Sequence, residues 1–288
     1  MKILFIQHSG APGGSQVSLL YSLQAMNAAK YKSKVALIFP SEWCRQYYEN
    51  NNFPTVAAPQ ISVFRHATAG WGRLSSPRSL IELTCNLLQW KKSGAAAIQL
   101  YESEKPDLVH LNSVILAPVA DAFLKAGIPF VWHVREAPVY GYTGIRFRWL
   151  QRLLLKAGSK VIFISEGDRR AWVGSRAGSV VHDFVDFDRF NPNVLISDVH
   201  KRLVDEVPTA VYLGGFAEIK GIFVLLEALA LLKRNGIRIR CLMPGCAGYP
   251  TPMGLRLIAR KLLDGVGFPS VHLKACRKIE ALEIQDYC

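Results

Sequence analysis

The chain has 288 residues, of which 50% are hydrophobic and 20% are charged. This composition excludes a disordered, collagen-like or low-complexity chain, and the length corresponds to about two globular domains. Lys and Arg number 35 against 22 Asp and Glu, so the formal net charge is +13, which favours anionic partners such as phosphate ligands, nucleic acid or an acidic membrane surface.

The first half of the chain alternates apolar strands with amphipathic helices. Residues 2–7 form a mostly apolar run, and the glycine-rich turn at residues 8–15 leads into a helical period of apolar residues. The pattern then predicts strands at 34–39, 107–111, 129–133 and 160–164, and helices at 80–100, 116–126 and 146–157. Such alternation indicates a mostly parallel sheet covered on both faces, so we predict an α/β domain over residues 1–180.

A second α/β series follows a change in composition near Val180. Residues 181–208, which are polar and aromatic and contain Pro192, are predicted to be a connector. Strands are predicted at 210–213, 238–243 and 271–274, and helices at 222–233, 255–263 and 279–287. Because three strands make a small sheet, we expect the second domain, residues 209–288, to be incomplete.

The cysteines and the apolar runs indicate where in the cell the protein resides. The six cysteines form no Cys-x-x-Cys pair, and scattered thiols in a chain of this length are typical of a reducing cytoplasm. The N-terminal apolar run is too short for a signal peptide, and the longest candidate span, residues 115–132, is interrupted by Asp121 and Lys125. We expect a cytoplasmic protein, with peripheral attachment to the inner face of the membrane as an open alternative.

Two glycine-containing loops are candidate anion sites. Gly13 and Gly14 precede the first helix, and Gly214, Gly215 and Lys220 precede a helix of the second domain. In open α/β sheets, ligands bind at the carboxyl ends of strands, where helix N-termini present free N–H groups. Neither loop has the spacing of a dinucleotide fingerprint or a P-loop. The alternative for Gly13 and Gly14 is a turn that merely needs small residues, and the alternative for Lys220 is a solvated surface lysine.

Polar residues end three successive predicted strands. His133 ends the middle one, where it is placed to donate a hydrogen bond or to move a proton, and a structural histidine is the alternative. The ends of parallel strands share one edge of the sheet, which predicts a single cleft. The other candidate cleft-lining residues are His110, Asn112, Ser113, Ser165 and Glu166. No histidine pair at i, i+4 and no carboxylate triad is present, so we expect no metal.

Taken together, these segments resemble the family 4 glycosyltransferases, which are retaining enzymes with the GT-B fold of two Rossmann-like domains. The resemblance implies transfer of a sugar from a nucleotide diphosphate donor to an acceptor with retention, without a cofactor or metal because fixed positive charge replaces the ion. The matching segments, in chain order, are Gly13-Gly14-Ser15, Asp107-Leu108-Val109-His110, His133-Val134-Arg135-Glu136, Phe163-Ile164-Ser165-Glu166, residues 184–190 and residues 212–221.

The resemblance also implies roles for single residues. Lys220 and the loop at Gly214 would hold the donor diphosphate, Gly13 and Gly14 would allow a close approach to it, and His133 would contact the donor sugar. The family usually has arginine where this chain has Gly215, and no two glutamates stand eight positions apart as in its Glu-x7-Glu segment. We therefore expect a fragment of a longer protein or a degenerate member, and a non-catalytic remnant that binds sugar nucleotides is the alternative function.

A basic amphipathic segment bears on the acceptor. Residues 146–156 carry four cations among aromatic residues and leucines, a pattern typical of a helix that rests on an anionic membrane, and residues 65–92 add further tryptophans and cations. This favours a lipid-linked or cell-envelope glycan as acceptor, and an ordinary surface helix with one buried stripe is the alternative. A nucleic-acid-binding protein and a nicotinamide-dependent Rossmann enzyme lack their motifs, so we predict no nucleic-acid partner.

Overall fold

The computed structural model describes residues 1–10, 13–64, 77–140, 144–187, 190, 207–213 and 220–242. The chain divides into two compact units, Met1–Asp186 and Phe187–Cys288, and the division falls within the predicted connector, residues 181–208. The predicted helices at 255–263 and 279–287 and the predicted strand at 271–274 lie outside the described residues.

The first unit has the predicted alternation of strands and helices. Four of its elements were not predicted, because segments of two to eight residues hold too few turns or alternations to show a period: Glu42–Glu49, Thr55–Ala57, Glu166–Val173 and Ser179–Val180. Its strands and α-helices are β1 Lys2–Gln7, α1 Gly14–Ala28, β2 Lys32–Leu37, α2 Glu42–Glu49, β3 Thr55–Ala57, α3 Pro77–Glu104, β4 Leu108–Leu111, α4 Ala117–Ala126, β5 Phe130–Val134, α5 Ile145–Ala157, β6 Val161–Phe163, α6 Glu166–Val173 and β7 Ser179–Val180.

The seven strands form one parallel sheet in the order β3-β2-β1-β4-β5-β6-β7. From β1 the chain runs through β2 and β3 on one side and then crosses to β4 on the other side, so the strand order reverses between β1 and β4. In open α/β sheets, ligands bind outside the carboxyl ends of the strands at such a switch point. The register there sets Phe5 of β1 opposite His110 of β4.

Each face of the sheet carries its own core. Alternate residues of β1 point to opposite faces. Leu4 and Ile6 join the larger core, which includes buried residues of α4 and α5, whereas Ile3 and Phe5 pack in the smaller core with residues of α1 and α2. Because both faces are buried, the strand reads as an almost continuous apolar run in the sequence.

Helix α5 buries its apolar stripe in the core of the first unit. Phe147, Leu150 and Leu154 are buried in the larger core, while Arg148 and Arg152 are exposed. The structure therefore agrees with the alternative of an ordinary surface helix with one buried stripe, because the apolar residues that would have faced a membrane pack inside the domain.

The described part of the second unit contains β8 Thr209–Val211, α7 Ile222–Arg234 and β9 Arg240–Leu242, and the two strands pair in parallel. All three elements were predicted, with ends that differ by no more than two residues. Helix α7 begins after Gly221, whose φ of +81° lies in the left-handed region that favours glycine. It buries one apolar stripe that includes Ile222 and Leu226.

Candidate functional site

A buried hydrogen-bond network fixes the ends of β1 and β4. The Gln7 side chain donates to the Tyr48 hydroxyl at 3.2 Å, and its Oε1 accepts from Asn112 Nδ2 at 3.1 Å and from the His8 main-chain N–H at 3.0 Å. An unpaired buried amide costs about 1–3 kcal/mol, so these pairings hold both strand ends in place across the switch point. Asn112, which was predicted to line the cleft, is buried and acts in this network.

Glu136 fixes the ends of β4 and β5. Its carboxylate accepts hydrogen bonds from the Ser113 hydroxyl, from the Val114 N–H at 3.0 Å and from the Arg135 N–H at 3.1 Å. Val114 opens a short 3-10 helix, Val114–Leu116, whose first N–H groups favour a negative charge. Since three donors already occupy this carboxylate, Glu136 and Ser113 act as positioning residues.

Three histidines lie at the edge formed by the carboxyl ends of the strands, and each has one buried ring nitrogen with no hydrogen-bond partner among the described residues. These atoms are His8 Nδ1, His110 Nδ1 and His133 Nε2. The His110 and His133 rings pack edge to face with centroids 5.4 Å apart, and His110 also packs on Phe5 at 4.9 Å. Unpaired buried polar atoms are rare in folded proteins, so three of them at one switch point indicate groups whose partner is a ligand.

Burial keeps these imidazoles neutral at physiological pH. Burial, and then the charge of Arg135, lowers the pKa of His133 to about 4, against an opposing contribution from Asp183. Burial lowers the pKa of His110 to about 3, and it also lowers the pKa of His8 despite the Glu136 carboxylate. A neutral imidazole has one donor and one acceptor nitrogen, so this histidine cluster offers hydrogen bonds to a neutral polar group such as a sugar hydroxyl.

Arg135 supplies a fixed positive charge beside the histidine cluster. Its side chain is only 10% exposed, and its Nη2 donates to Asp183 Oδ2 at 2.5 Å. The other oxygen of Asp183 accepts from the Ser18 hydroxyl of α1 at 2.8 Å. The guanidinium is a cation, so this edge of the sheet combines neutral donors with a positive charge.

The N-terminus of α1 is open at Gly13 and Gly14. A Cβ on Gly14 would meet no described atom within 4 Å, and a Cβ on Gly13 would meet only Gln16 Oε1, at 3.5 Å. The same loop holds a different glycine, Gly10, where a Cβ would lie 2.8 Å from the Cβ and the carbonyl oxygen of Phe39. Packing among the described residues therefore requires Gly10 but neither Gly13 nor Gly14, and no described side chain crowds the helix N-terminus where an anion would bind.

The remaining predicted residues lie elsewhere. Ser165 caps α6 by accepting from the Asp168 N–H at 3.0 Å, and Glu166 pairs with Arg169 at 3.1 Å, so both serve the start of that helix. Lys220 is exposed and lies two residues before the first residue of α7, and its carbonyl accepts from the Tyr212 hydroxyl at 3.1 Å. The predicted residues Gly214 and Gly215 lie outside the described residues.

His8 and Arg135 were not among the predicted site residues. Both follow directly after an apolar strand, so the rule that selected His133 would have found them. The partner of Arg135, Asp183, lies 48 positions further along the chain, and no local pattern links the two.

The described residues contain no group of three or more His, Cys, Asp or Glu side chains placed to hold a metal ion. Chemistry without a metal remains a prediction. No helix within the described ranges is long and apolar enough to cross a membrane.

Comparisons with known proteins address the family and the fold. A family model described as a glycosyl transferase 4-like domain matches residues 13–181. No curated protein sequence matches the chain. Among solved structures, HepE from Anabaena in complex with UDP-glucose is 18% identical with a TM-score of 0.62, and the match covers 100% of this chain and 68% of HepE.

Two further structures show the same likeness. A glycosyltransferase from Rickettsia africae is 14% identical with a TM-score of 0.62, over 100% of this chain and 67% of its own. The lipopolysaccharide outer core galactosyltransferase WaaB is 16% identical with a TM-score of 0.54, over 100% of this chain and 67% of its own. Likeness at this identity shows the fold, and the prediction of an α/β fold of the GT-B type is confirmed.

Acid should destabilise the chain through the histidine cluster. Unfolding raises the pKa of His110 and His133 from about 3 and about 4 toward 6.5, the value of a solvent-exposed histidine, so the unfolded state binds more protons in this range. The free energy of unfolding should therefore fall as the pH drops below about 6.5, by up to about 2 kcal/mol for each histidine at pH 5. Denaturant titrations at about pH 7 and pH 5 measure this loss.

The variant His110→Phe, whose ring can still pack on Phe5, should lose part of this pH dependence. His182→Phe changes an exposed histidine outside the cluster and should keep it. An equal loss of stability in the wild type and in His110→Phe would contradict the assignment of the acid sensitivity to the cluster.

Proposed function

The chain belongs to the glycosyl transferase 4-like family, and on that premise we propose that it transfers a sugar from a nucleoside diphosphate sugar to an acceptor, with retention of the anomeric configuration. The histidine cluster at the switch point carries the proposal, because its unpaired neutral nitrogens fit the hydroxyl groups of a sugar. The likeness to HepE, which was solved with UDP-glucose, supports a nucleotide-sugar donor.

The difficult step in such a transfer is the departure of the diphosphate. The bond between the sugar carbon and the phosphate oxygen breaks, a new bond to the acceptor oxygen forms, and the acceptor proton leaves with the diphosphate. Negative charge grows on the departing oxygen, and fixed positive groups that already point there lower the barrier. In the first unit, the α1 N-terminus behind Gly13 and Gly14 is such a group, and His133 holds the sugar.

In the second unit, we assign donor-phosphate contacts to Gly214, Gly215 and Lys220. Lys220 and the first N–H groups of α7 belong to the same turn of chain, and both favour a phosphate. A lysine close to a helix N-terminus works against the helix dipole, which is a reason to expect an anion there.

The acceptor that we propose is a lipid-linked glycan presented at an anionic membrane surface. Helix α3 supplies the apolar surface for this contact: Ile81 and Leu88, which share one face, are 64% and 70% exposed, and Leu80 is 48% exposed. One turn later on the same face, Lys91 and Lys92 are exposed. Apolar side chains bordered by cations fit a bilayer of anionic lipids.

Helix α5 adds exposed cations to the first unit. Trp90 of α3 stacks on Trp149 of α5 with ring centroids 4.4 Å apart, and Arg148 and Arg152 of α5 are exposed. The sequence of α5 contains no acidic residue. The likeness to WaaB, a galactosyltransferase of the lipopolysaccharide outer core, supports an acceptor of this class.

Calorimetric titration with UDP, GDP and ADP, and then with UDP-glucose, tests the donor. We expect saturable binding of one of the three diphosphates. His133→Ala should weaken binding of the matching nucleotide sugar by about tenfold or more, through the loss of a buried hydrogen bond, and should change binding of the bare diphosphate much less. Arg170→Gln, at an exposed arginine of α6, serves as the control. Equal weakening for the two ligands would contradict a contact between His133 and the sugar.

Gly14→Ala separates ligand binding from folding. Its Cβ meets no described atom and alanine favours a helix, so the melting temperature should stay the same or rise. The added methyl group should nevertheless weaken diphosphate binding by about fivefold or more by blocking the close approach that charge-assisted hydrogen bonds need. Gly10→Ala, in contrast, should lower stability by about 1–3 kcal/mol. Unchanged affinity in Gly14→Ala would contradict the anion site.

Vesicle flotation tests the membrane surface. The wild type should bind vesicles that contain phosphatidylglycerol, bind neutral phosphatidylcholine vesicles much less, and be released by salt. Leu88→Glu should abolish binding, while Leu231→Glu, at a 53% exposed leucine of α7, should leave it intact. Binding that persists in Leu88→Glu would remove α3 as the contact.

A further inference from the structure

The guanidinium of Arg135 makes little use of its donors among the described residues. A guanidinium carries five N–H donors. In the part of the chain that the structure describes, the only contact of this group is the single hydrogen bond from Nη2 to Asp183. Nine-tenths of the side chain is nevertheless withdrawn from water. A nearly buried cation with most of its donors unpaired indicates that a second anion completes its contacts.

Arg135 lies beside the histidine cluster. Arg135 follows His133 by two residues, at the end of the same strand. Its positive charge acts on all three rings, since it lowers the pKa of His8, His110 and His133. His133 is also at least nine-tenths buried, and its Nε2 has no hydrogen-bond partner among the described residues. The two unused groups therefore belong to one site.

The partner of Arg135 is an anion that can leave. The side chain of Asp183 is 44% exposed, so water can reach the carboxylate and replace its contacts when it moves away. Its carboxylate lies between the Arg135 guanidinium and the Ser18 hydroxyl, at 2.5 and 2.8 Å. These are a cation and a hydroxyl donor, the same groups that bind a phosphate oxygen.

The segment around Asp183 has other anchors. The His182 ring nitrogen Nδ1 lies 3.0 Å from the Ile164 carbonyl oxygen, and the Phe184 ring packs on Tyr21 with centroids 5.7 Å apart. Release of the Asp183 carboxylate therefore need not detach the chain on either side of it.

We propose that Arg135 binds a phosphate group of the donor, and that the carboxylate of Asp183 occupies this anion position until the phosphate displaces it. A guanidinium binds phosphate through two parallel N–H donors, which the single hydrogen bond to the Asp183 carboxylate does not match. The inference rests on the proposed function and deepens it: Arg135 becomes a substrate-contacting residue, and Asp183 a competing anion within the chain itself.

Opposite effects of two variants test this inference. Arg135→Gln should weaken binding of UDP by about 10- to 100-fold, because a charge-assisted contact is lost. Asp183→Asn, which keeps the shape and an acceptor oxygen but removes the competing charge, should tighten binding by about two- to fivefold. Arg170→Gln, at an exposed arginine of α6, should match the wild type.

The two variants break the same ion pair, so a purely structural pair predicts the same sign for both. Weaker or unchanged binding in Asp183→Asn would overturn the role of Asp183, and wild-type affinity in Arg135→Gln would overturn the role of Arg135. Arg135→Lys keeps the charge but loses the parallel pair of N–H donors. Its affinity for UDP should lie between those of Arg135→Gln and the wild type. Thermal melts of every variant show whether it is folded.

Inorganic pyrophosphate in place of UDP separates this inference from the proposed function. If the wild type binds UDP or pyrophosphate and Arg135→Gln binds equally well, the inference fails while the donor site stands. If the folded wild type binds none of UDP, GDP, ADP and pyrophosphate, the proposed function fails and the inference fails with it.

Discussion

The parallel pairing of β1 with β4 is the constraint on which the candidate site depends. It places the reversal of strand order at the centre of a seven-stranded sheet, and it brings the ends of strands that are over 100 residues apart in the chain side by side. The buried contact between Gln7 and Asn112 secures that junction. Without it, the three histidines and Arg135 would have no common edge on which to meet.

The chemistry at this edge separates neutral hydrogen bonding from fixed charge. Burial keeps the histidines neutral, which suits them to hydroxyl groups, whereas Arg135 and the α1 N-terminus favour an anion. Glu136, the carboxylate next to Arg135, is occupied by three donors of the chain. A sugar linked to a diphosphate has the matching division, with hydroxyls at one end and negative charge at the other.

Local patterns predicted the fold well and the site in part. The long periodic elements and the polar residues at strand ends were readable, and His110 and His133 do meet. Short elements such as α2 and β7 lack a period, and the partnership of Arg135 with Asp183 joins residues that only the folded sheet brings together. Asn112 and Ser165 show the limit of the rule, since a polar residue after a strand serves the fold as often as a ligand.

The most direct test of a donor site at this edge is the response of the histidine rings to the donor. The chain has seven histidines, and ring-nitrogen NMR signals of histidine-labelled protein can be assigned by single substitutions. Saturation with UDP-glucose should shift the signals of His133 and of at least one of His8 and His110. A donor that binds while all three signals stay in place would contradict the account.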